Sequence, residues 1–256
     1  MAEAIISGIV RTEVAPSSDI CVGEPSDTRR RHLEETYSIR TTEDNLNAIE
    51  GARLTVLAVK PQTLPYVYPE LNGSLSAENT VVSIVAGATL SSLTSGLGHA
   101  PIIRVMPNTP GQIGAGMTMW MASDAVPRET VEMTRAIVQT LGKEIYTDDE
   151  KMIDMATALS ASGPAYVFLF IESLIDAGVY LGLSRDVSWQ LAIQTVLGST
   201  QLIHDSGIHP AELKDMVTSP GGTTIEALRS FEEGRFRALV LNAVNAAYEK
   251  SKALGG

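Results

Sequence analysis

Residues 219 to 224 read Ser219-Pro220-Gly221-Gly222-Thr223-Thr224. Two adjacent glycines let a backbone turn tightly and bring its N–H groups close to a ligand. Thr223 opens the helical pattern that follows, and Glu226 stands three residues on, the spacing of a capping box. A glycine turn feeding a helix N-terminus suits an anion such as a carboxylate. A plain helix–helix turn is the other reading, because Gly and Pro are common turn formers. A second set of residues closes apolar runs: Ala58-Val59-Lys60-Pro61, Val85-Ala86-Gly87, and Val105-Met106-Pro107-Asn108-Thr109-Pro110. Proline cannot continue a sheet ladder, so the chain must turn there. Ligands of parallel sheets bind at the carboxyl ends of strands. Lys60 at such an edge meets a phosphate or ribose, or is simply a solvated lysine. Three strand ends with small or amide-bearing residues, Ala58, Ala86 and Asn108 among them, suit a flat nicotinamide ring and its ribose.

These residues need elements to hold them. Up to about residue 149, short apolar runs alternate with helical patterns. The spacing predicts strands at Ile20–Gly23, Arg53–Val59, Thr80–Ala86, Ile102–Met106, Met117–Ala122 and Glu144–Thr147. Several are apolar throughout, as strands covered on both faces are. Helices are expected at Arg29–Thr36, Glu43–Glu50 and Arg128–Leu141, which argues for a mostly parallel sheet with crossover helices. From Asp149 onward only helical patterns occur: Met152–Leu159, Ala165–Leu181, Arg185–Asp205, Pro210–Val217, Ile225–Glu233 and Phe236–Leu254. The expected organisation is α/β with a Rossmann-type sheet over residues 1–149, followed by an all-helical domain over 150–256.

Composition narrows the classes. The 256-residue chain carries a net charge of −11, which argues against nucleic acid as a partner. Cys21 is the single cysteine, so no intramolecular disulfide forms, and it reads as a small buried residue. With no signal-peptide pattern, a cytoplasmic location is expected. The four histidines, His32, His99, His204 and His209, lack metal-ligand spacing, so no metal is expected. The most apolar stretch, Ala165–Leu183, carries Glu172 and Asp176; it reads as a buried core or interface helix, not a membrane span. The chain opens directly on a helical pattern, Ala2–Val10. In a dinucleotide-binding fold a strand and a glycine loop precede the first helix, and an acidic or substituting residue closes the second strand about 20 residues after the loop. Counting back from Glu24 puts that loop at or just before Met1, so the first strand and its glycine loop are expected to be missing.

The chain resembles the pyrroline-5-carboxylate reductases. The likeness runs essentially end to end, through Met1-Ala2-Glu3-Ala4-Ile5, Leu57-Ala58-Val59-Lys60-Pro61-Gln62, Met106-Pro107-Asn108-Thr109-Pro110, Leu159-Ser160-Ala161-Ser162-Gly163-Pro164-Ala165-Tyr166 and His209-Pro210-Ala211-Glu212-Leu213-Lys214-Asp215. Its most specific block is Val217-Thr218-Ser219-Pro220-Gly221-Gly222-Thr223-Thr224-Ile225-Glu226-Ala227-Leu228. The resemblance implies reduction of 1-pyrroline-5-carboxylate to L-proline with a nicotinamide hydride donor. It also implies helical domains that interlock into a homodimer, with decamers in some members and active sites using both subunits.

Residue roles follow from that resemblance. The substrate carboxylate falls to the N–H groups of Gly222 to Thr224, within the Ser219–Thr224 block that includes Gly221 and Thr223. The Thr224 hydroxyl is the candidate for the ring nitrogen, and Glu150 matches a position near bound proline. Ser162, Gly163 and Pro164 shape the pocket. For the cofactor, Asn45 matches a position near the adenosine ribose, while Val59, Lys60 and Ala86, between Ala58 and Pro61 at one strand end and Asn108 at another, belong to the nicotinamide half. Met216 matches a contact in the helical domain. Glu24 would bond a ribose 2′-hydroxyl, whereas Ser26, Arg29 and Arg30 could hold a 2′-phosphate. The resemblance points to NADP, with NAD as the alternative. Two rival readings are a cofactor-free oligomerising remnant lacking its phosphate loop, and a different imine or hydroxyacid reductase on a similar scaffold.

Overall fold

Parallel strands with crossover helices build the first part of the chain, as the alternation of patterns requires. The computed structural model describes residues 1–254. They divide into two units: residues 1–162 with the chain from Ala246 on, and Gly163–Asn245. The first unit runs α1 (Ala2–Thr12), β1 (Cys21–Gly23), α2 (Asp27–Tyr37), β2 (Arg40–Thr42), α3 (Asn45–Ile49), β3 (Leu54–Leu57), α4 (Leu64–Leu71), β4 (Thr80–Ser83) and α5 (Leu90–Leu97). It continues through β5 (Ile102–Met106), β6 (Gly116–Ala122), α6 (Arg128–Gln139), β7 (Gly142–Tyr146) and α7 (Glu150–Ala156).

The strands form two sheets. β1 pairs with β2, and a five-stranded sheet runs β3-β4-β5-β6-β7. All pairs are parallel except β5 with β6. Every residue of β4 and β5 is buried. Alternate side chains serve opposite faces: Val81 and Ile102 pack with Leu64, Val67, Leu93 and Leu97, whereas Val82, Ile103 and Val105 pack with Trp120 and Val138. α1 spans both sheets. Its Ile6 packs with Leu33 and Ile39 beside β1 and β2. Its Ile5 and Ile9 pack with Leu141, and with Ile84 at the five-stranded sheet.

Every strand and helix predicted above is present, with ends displaced by a few residues. β2, α4 and α5 were not foreseen. β2 reads Arg-Thr-Thr and has no apolar run. α4 holds Pro65 and Pro69, which argue against a helix, yet its Leu64, Val67 and Leu71 are buried and packing overrides propensity. α5 is rich in Ser, Thr and Gly, and Thr89 caps it by accepting from the Ser92 N–H.

The second unit holds α8 (Gly163–Tyr180), α9 (Arg185–Ser206), α10 (Pro210–Met216), α11 (Thr223–Glu233) and the first half of α12 (Phe236–Leu254). Pro210 opens α10, as its fixed φ predicts. A Cβ on Gly178 would lie 2.5 Å from the Ser188 Oγ, so the glycine lets α8 and α9 approach closely. Phe231 and Phe236 meet edge to face at 5.4 Å. Yet only Ile175, Ser188 and Ala192 are buried here among the described residues. Val167, Phe168, Leu169, Trp189, Leu197 and Leu239 all stand exposed. Of the two readings of this stretch, core helix or interface helix, such exposure within one protomer leaves the interface helix. The helical stretch Glu150–Tyr180, in which a π-helical turn at Thr157–Ala161 joins α7 to α8, is long and apolar enough to cross a membrane by length and composition.

Candidate active site

The carboxyl edge of the five-stranded sheet collects the candidate nicotinamide residues. After β3, Ala58 and Lys60 are exposed, while Val59 packs against the core. Pro61 opens a short 3-10 turn, closed by the Thr63 N–H donating to the Lys60 carbonyl at 2.8 Å. After β4, Ala86 is half-buried against Met106, Met121 and Ile153. After β5, the Asn108 amide turns inward. Its Oδ1 accepts the Met117 N–H at 2.9 Å, and its Nδ2 lies 3.3 Å from both oxygens of Ser160. Asn108 thus ties β5 to β6 and to the π-helical turn. Such turns are frequent at functional sites.

The candidate adenosine residues surround β1. The Glu24 carboxylate accepts the Ser26 N–H at 2.9 Å. The Ser26 hydroxyl makes no hydrogen bond among the described residues and does not cap α2. Arg30 donates to the Glu24 and Pro25 carbonyls, and Arg29 pairs with Glu3. Both arginines that were candidates for a 2′-phosphate therefore have partners within the protein. Asn45 follows the N-cap Asp44, donates to Glu70 at 2.9 Å, and sets its Oδ1 where a Cβ on Gly23 would fall.

Glu150 is not the exposed first-turn glutamate that its sequence position allows. Its Oε1 accepts from Leu90 N–H at 2.7 Å and from the Arg104 Nη1 at 2.9 Å. The Arg104 Nη2 reaches Asp154 Oδ1 at 2.8 Å, and Arg104 itself is fully buried. Asp154 also accepts from the Ser251 hydroxyl at 3.2 Å. Arg104, Asp154 and Ser251 were missed in the sequence. The available signal was a charge inside the apolar run Ile-Ile-Arg-Val-Met, together with two acids at i and i+4, Glu150 and Asp154, on α7 further along the chain. A buried guanidinium requires such partners.

In the second unit the glycine block forms the expected turn. The Gly222 N–H donates to the Ser219 carbonyl at 3.1 Å, and Gly221 takes a φ of +67°. α11 then begins at Thr223 with Gly222 as N-cap, and no side chain caps it. The capping box does not form: Thr223 is one residue too late to cap, and Glu226 pairs with Arg229 instead. Among the described residues no acceptor takes the Thr223 and Thr224 N–H groups, as an anion cradle needs. Thr224 stands in that first turn, half-buried, with no hydrogen bond from its hydroxyl among the described residues. Met216 ends α10 and is 74% exposed.

Comparison with known proteins places this arrangement. Residues 150–254 match the family model for pyrroline-5-carboxylate reductase dimerisation, and residues 1–87 match that for NADP oxidoreductase, coenzyme F420-dependent. A pyrroline-5-carboxylate reductase of Synechocystis is 42% identical over 100% of this chain and 95% of its own length. One from Escherichia coli is 40% identical over 99% of this chain and 94% of its own. The solved pyrroline carboxylate reductase of Plasmodium falciparum with NADP bound superposes with a TM-score of 0.88 at 34% identity, covering 99% of this chain and 94% of that one. With relatives above 30% identity along its whole length, this chain belongs to the pyrroline-5-carboxylate reductase family.

Proposed function

We propose that this protein reduces 1-pyrroline-5-carboxylate to L-proline, the last step of proline biosynthesis, with NADPH as hydride donor and NADH as the alternative. The observation that carries the reading is the uncapped N-terminus of α11, fed by the Gly221-Gly222 turn, in a chain 42% identical to a reductase of that name. Thr223 and Thr224 present N–H groups to the substrate carboxylate; Gly222, whose own N–H is taken by the Ser219 carbonyl, shapes the cradle with Ser219 and Gly221. The Thr224 hydroxyl bonds the ring nitrogen. Glu150 is a further substrate contact: its Oε1 is bound, and its Oε2 is free among the described residues.

The residues present fit a nicotinamide cofactor at two places. Small residues, Ala58 and Ala86, end the adjacent parallel strands β3 and β4, with exposed Lys60 beside them. The N-terminus of α1 has Met1 as N-cap without a side-chain bond, which leaves its N–H groups for a pyrophosphate. Val59, Pro61 and Asn108 hold the backbone of this edge, and Glu24, Ser26 and Asn45 stand at the adenosine side. Once bound, the cofactor supplies the hydride, and the chain's own groups orient the imine and keep its carboxylate neutralised. The rival of a cofactor-free remnant is not favoured, because the nucleotide half matches an NADP oxidoreductase model over residues 1–87.

The chain is an oligomer through the helical segment matched by the dimerisation model. We infer a homodimer, with a decamer as a higher assembly, acting in the cytoplasm. Mixing the purified protein with NADPH and the imine tests the activity: the near-ultraviolet absorbance of the reduced nicotinamide should fall, and a folded oligomer that shows no such turnover refutes it.

A further inference from the structure

We propose that Arg104 is a positioning residue for the nicotinamide end of the cofactor site, and that the last turn of α12 forms one wall of that end. The inference rests on the reductase reading above. Arg104 lies in the middle of β5 and is fully buried. Its two terminal nitrogens fork to Glu150 and Asp154, one turn apart on α7. Each carboxylate is also a latch. Glu150 holds the Leu90 N–H, immediately after the Gly87–Thr89 turn. Asp154 holds the hydroxyl of Ser251, which is itself 3% exposed. One latched segment follows the Ala86-Gly87 stretch directly in the chain, and the other carries Leu254, which packs on Gly87.

Gly87 shows what stands there. Its φ is +79°, and a Cβ built on it would lie 2.5 Å from the Leu254 Cβ and 3.2 Å from the Leu254 carbonyl oxygen. The glycine at the end of β4 thus makes room for the chain's own C-terminal turn, beside the position assigned to the nicotinamide. Stability alone does not account for the cluster. A buried ion pair is often no more stabilising than apolar side chains of similar size. What an arginine fork supplies, and an apolar residue does not, is a fixed geometry for two carboxylates at once.

Two variants test this, Arg104→Met and Ser251→Ala, with NADPH affinity read from nucleotide fluorescence on titration, apart from turnover. Arg104→Met should weaken NADPH binding about tenfold, the scale of one charge-assisted hydrogen bond, and Ser251→Ala should weaken it by a smaller factor. In Ser251→Ala, KM for NADPH should rise in step while KM for the imine stays put; Arg104→Met, which also releases the substrate contact Glu150, should raise both. If Arg104→Met fails to fold, Ser251→Ala decides alone. Unchanged NADPH affinity in folded Ser251→Ala, or an equal rise in the imine KM, overturns the proposal. Failure of the reductase reading is separate: it shows as absent turnover in the unaltered protein, whereas this inference is read from binding.

Discussion

Gly221 and Thr224 do different work in the same six residues. Gly221 holds a φ of +67°, a conformation that L side chains rarely adopt, although the space around it is open. Gly221→Ala should cost about 1 kcal/mol of stability, the scale of a left-handed L-residue, and should raise KM for the imine by tilting the N–H groups of the cradle. Calorimetry and steady-state kinetics read the two effects separately. The Thr224 hydroxyl makes no hydrogen bond among the described residues, so Thr224→Ala should leave the melting temperature nearly unchanged. Its kcat/KM for the imine should drop roughly tenfold or more, the loss of a hydrogen bond to a charged group, with NADPH affinity unchanged. Turnover equal to that of the unaltered enzyme would remove Thr224 from the site. The free hydroxyl of Thr224 is what separates these outcomes, since a threonine bonded into its helix would change stability as well.

At the scale of elements, α1 is joined to α2 by charge as well as by packing. Glu3 in the first turn of α1 accepts from His32 at 3.0 Å and from the Tyr37 hydroxyl at 3.0 Å, and pairs with Arg29. The His32 bond and then the Arg29 bond push its carboxyl down from 4.5 to about 2. Because the folded value is the lower one, the stabilisation is complete above pH 4.5 and is lost as the pH falls toward about 2. Glu3→Gln should therefore lower stability at neutral pH by about 1 kcal/mol or less, since the cluster is partly exposed. The two proteins should converge in denaturation curves only as the pH falls below 2, where Glu3 is protonated in both states. A gap that persists there would assign the loss to packing. The tie matters because α1 contacts both sheets, and β1 and β3 do not pair with each other.

For the whole molecule, the helical unit determines the assembly. Phe168 is 62% exposed and Leu169 63%, and the unit buries little apolar surface of its own. A patch of this kind marks an interface between proteins. A charge placed in it, as in Phe168→Arg, should shift the protein from oligomer to monomer in light scattering and abolish turnover. A Phe168→Arg protein that stays oligomeric would move the interface elsewhere. The acidic positions Glu172 and Asp176 on the same helix would be costly within lipid, which favours a protein partner for this surface.

Much of this architecture was legible in the residues, because periodicity and turn chemistry are local. The apolar runs of β4 and β5 announce strands covered on both faces, Pro210 a helix start, and the Ser219–Thr224 block a turn into a helix. α4 and α5 were illegible because tertiary packing of Leu64, Val67, Leu93 and Leu97 outweighs the prolines, serines and threonines that surround them. The capping box was misread because a single-residue shift of the helix start, settled by the φ of Gly221 and the turn to Ser219, makes Gly222 the cap. The order of residues alone identified the family, the sheet class and the glycine turn into α11. Only the tertiary structure decided that Arg104 gathers Glu150, Asp154 and Ser251, and that Leu254 stands against Gly87. Those residues lie up to 97 positions apart along the chain in a single bond, and contacts of that range leave no periodic trace in the sequence that forms them.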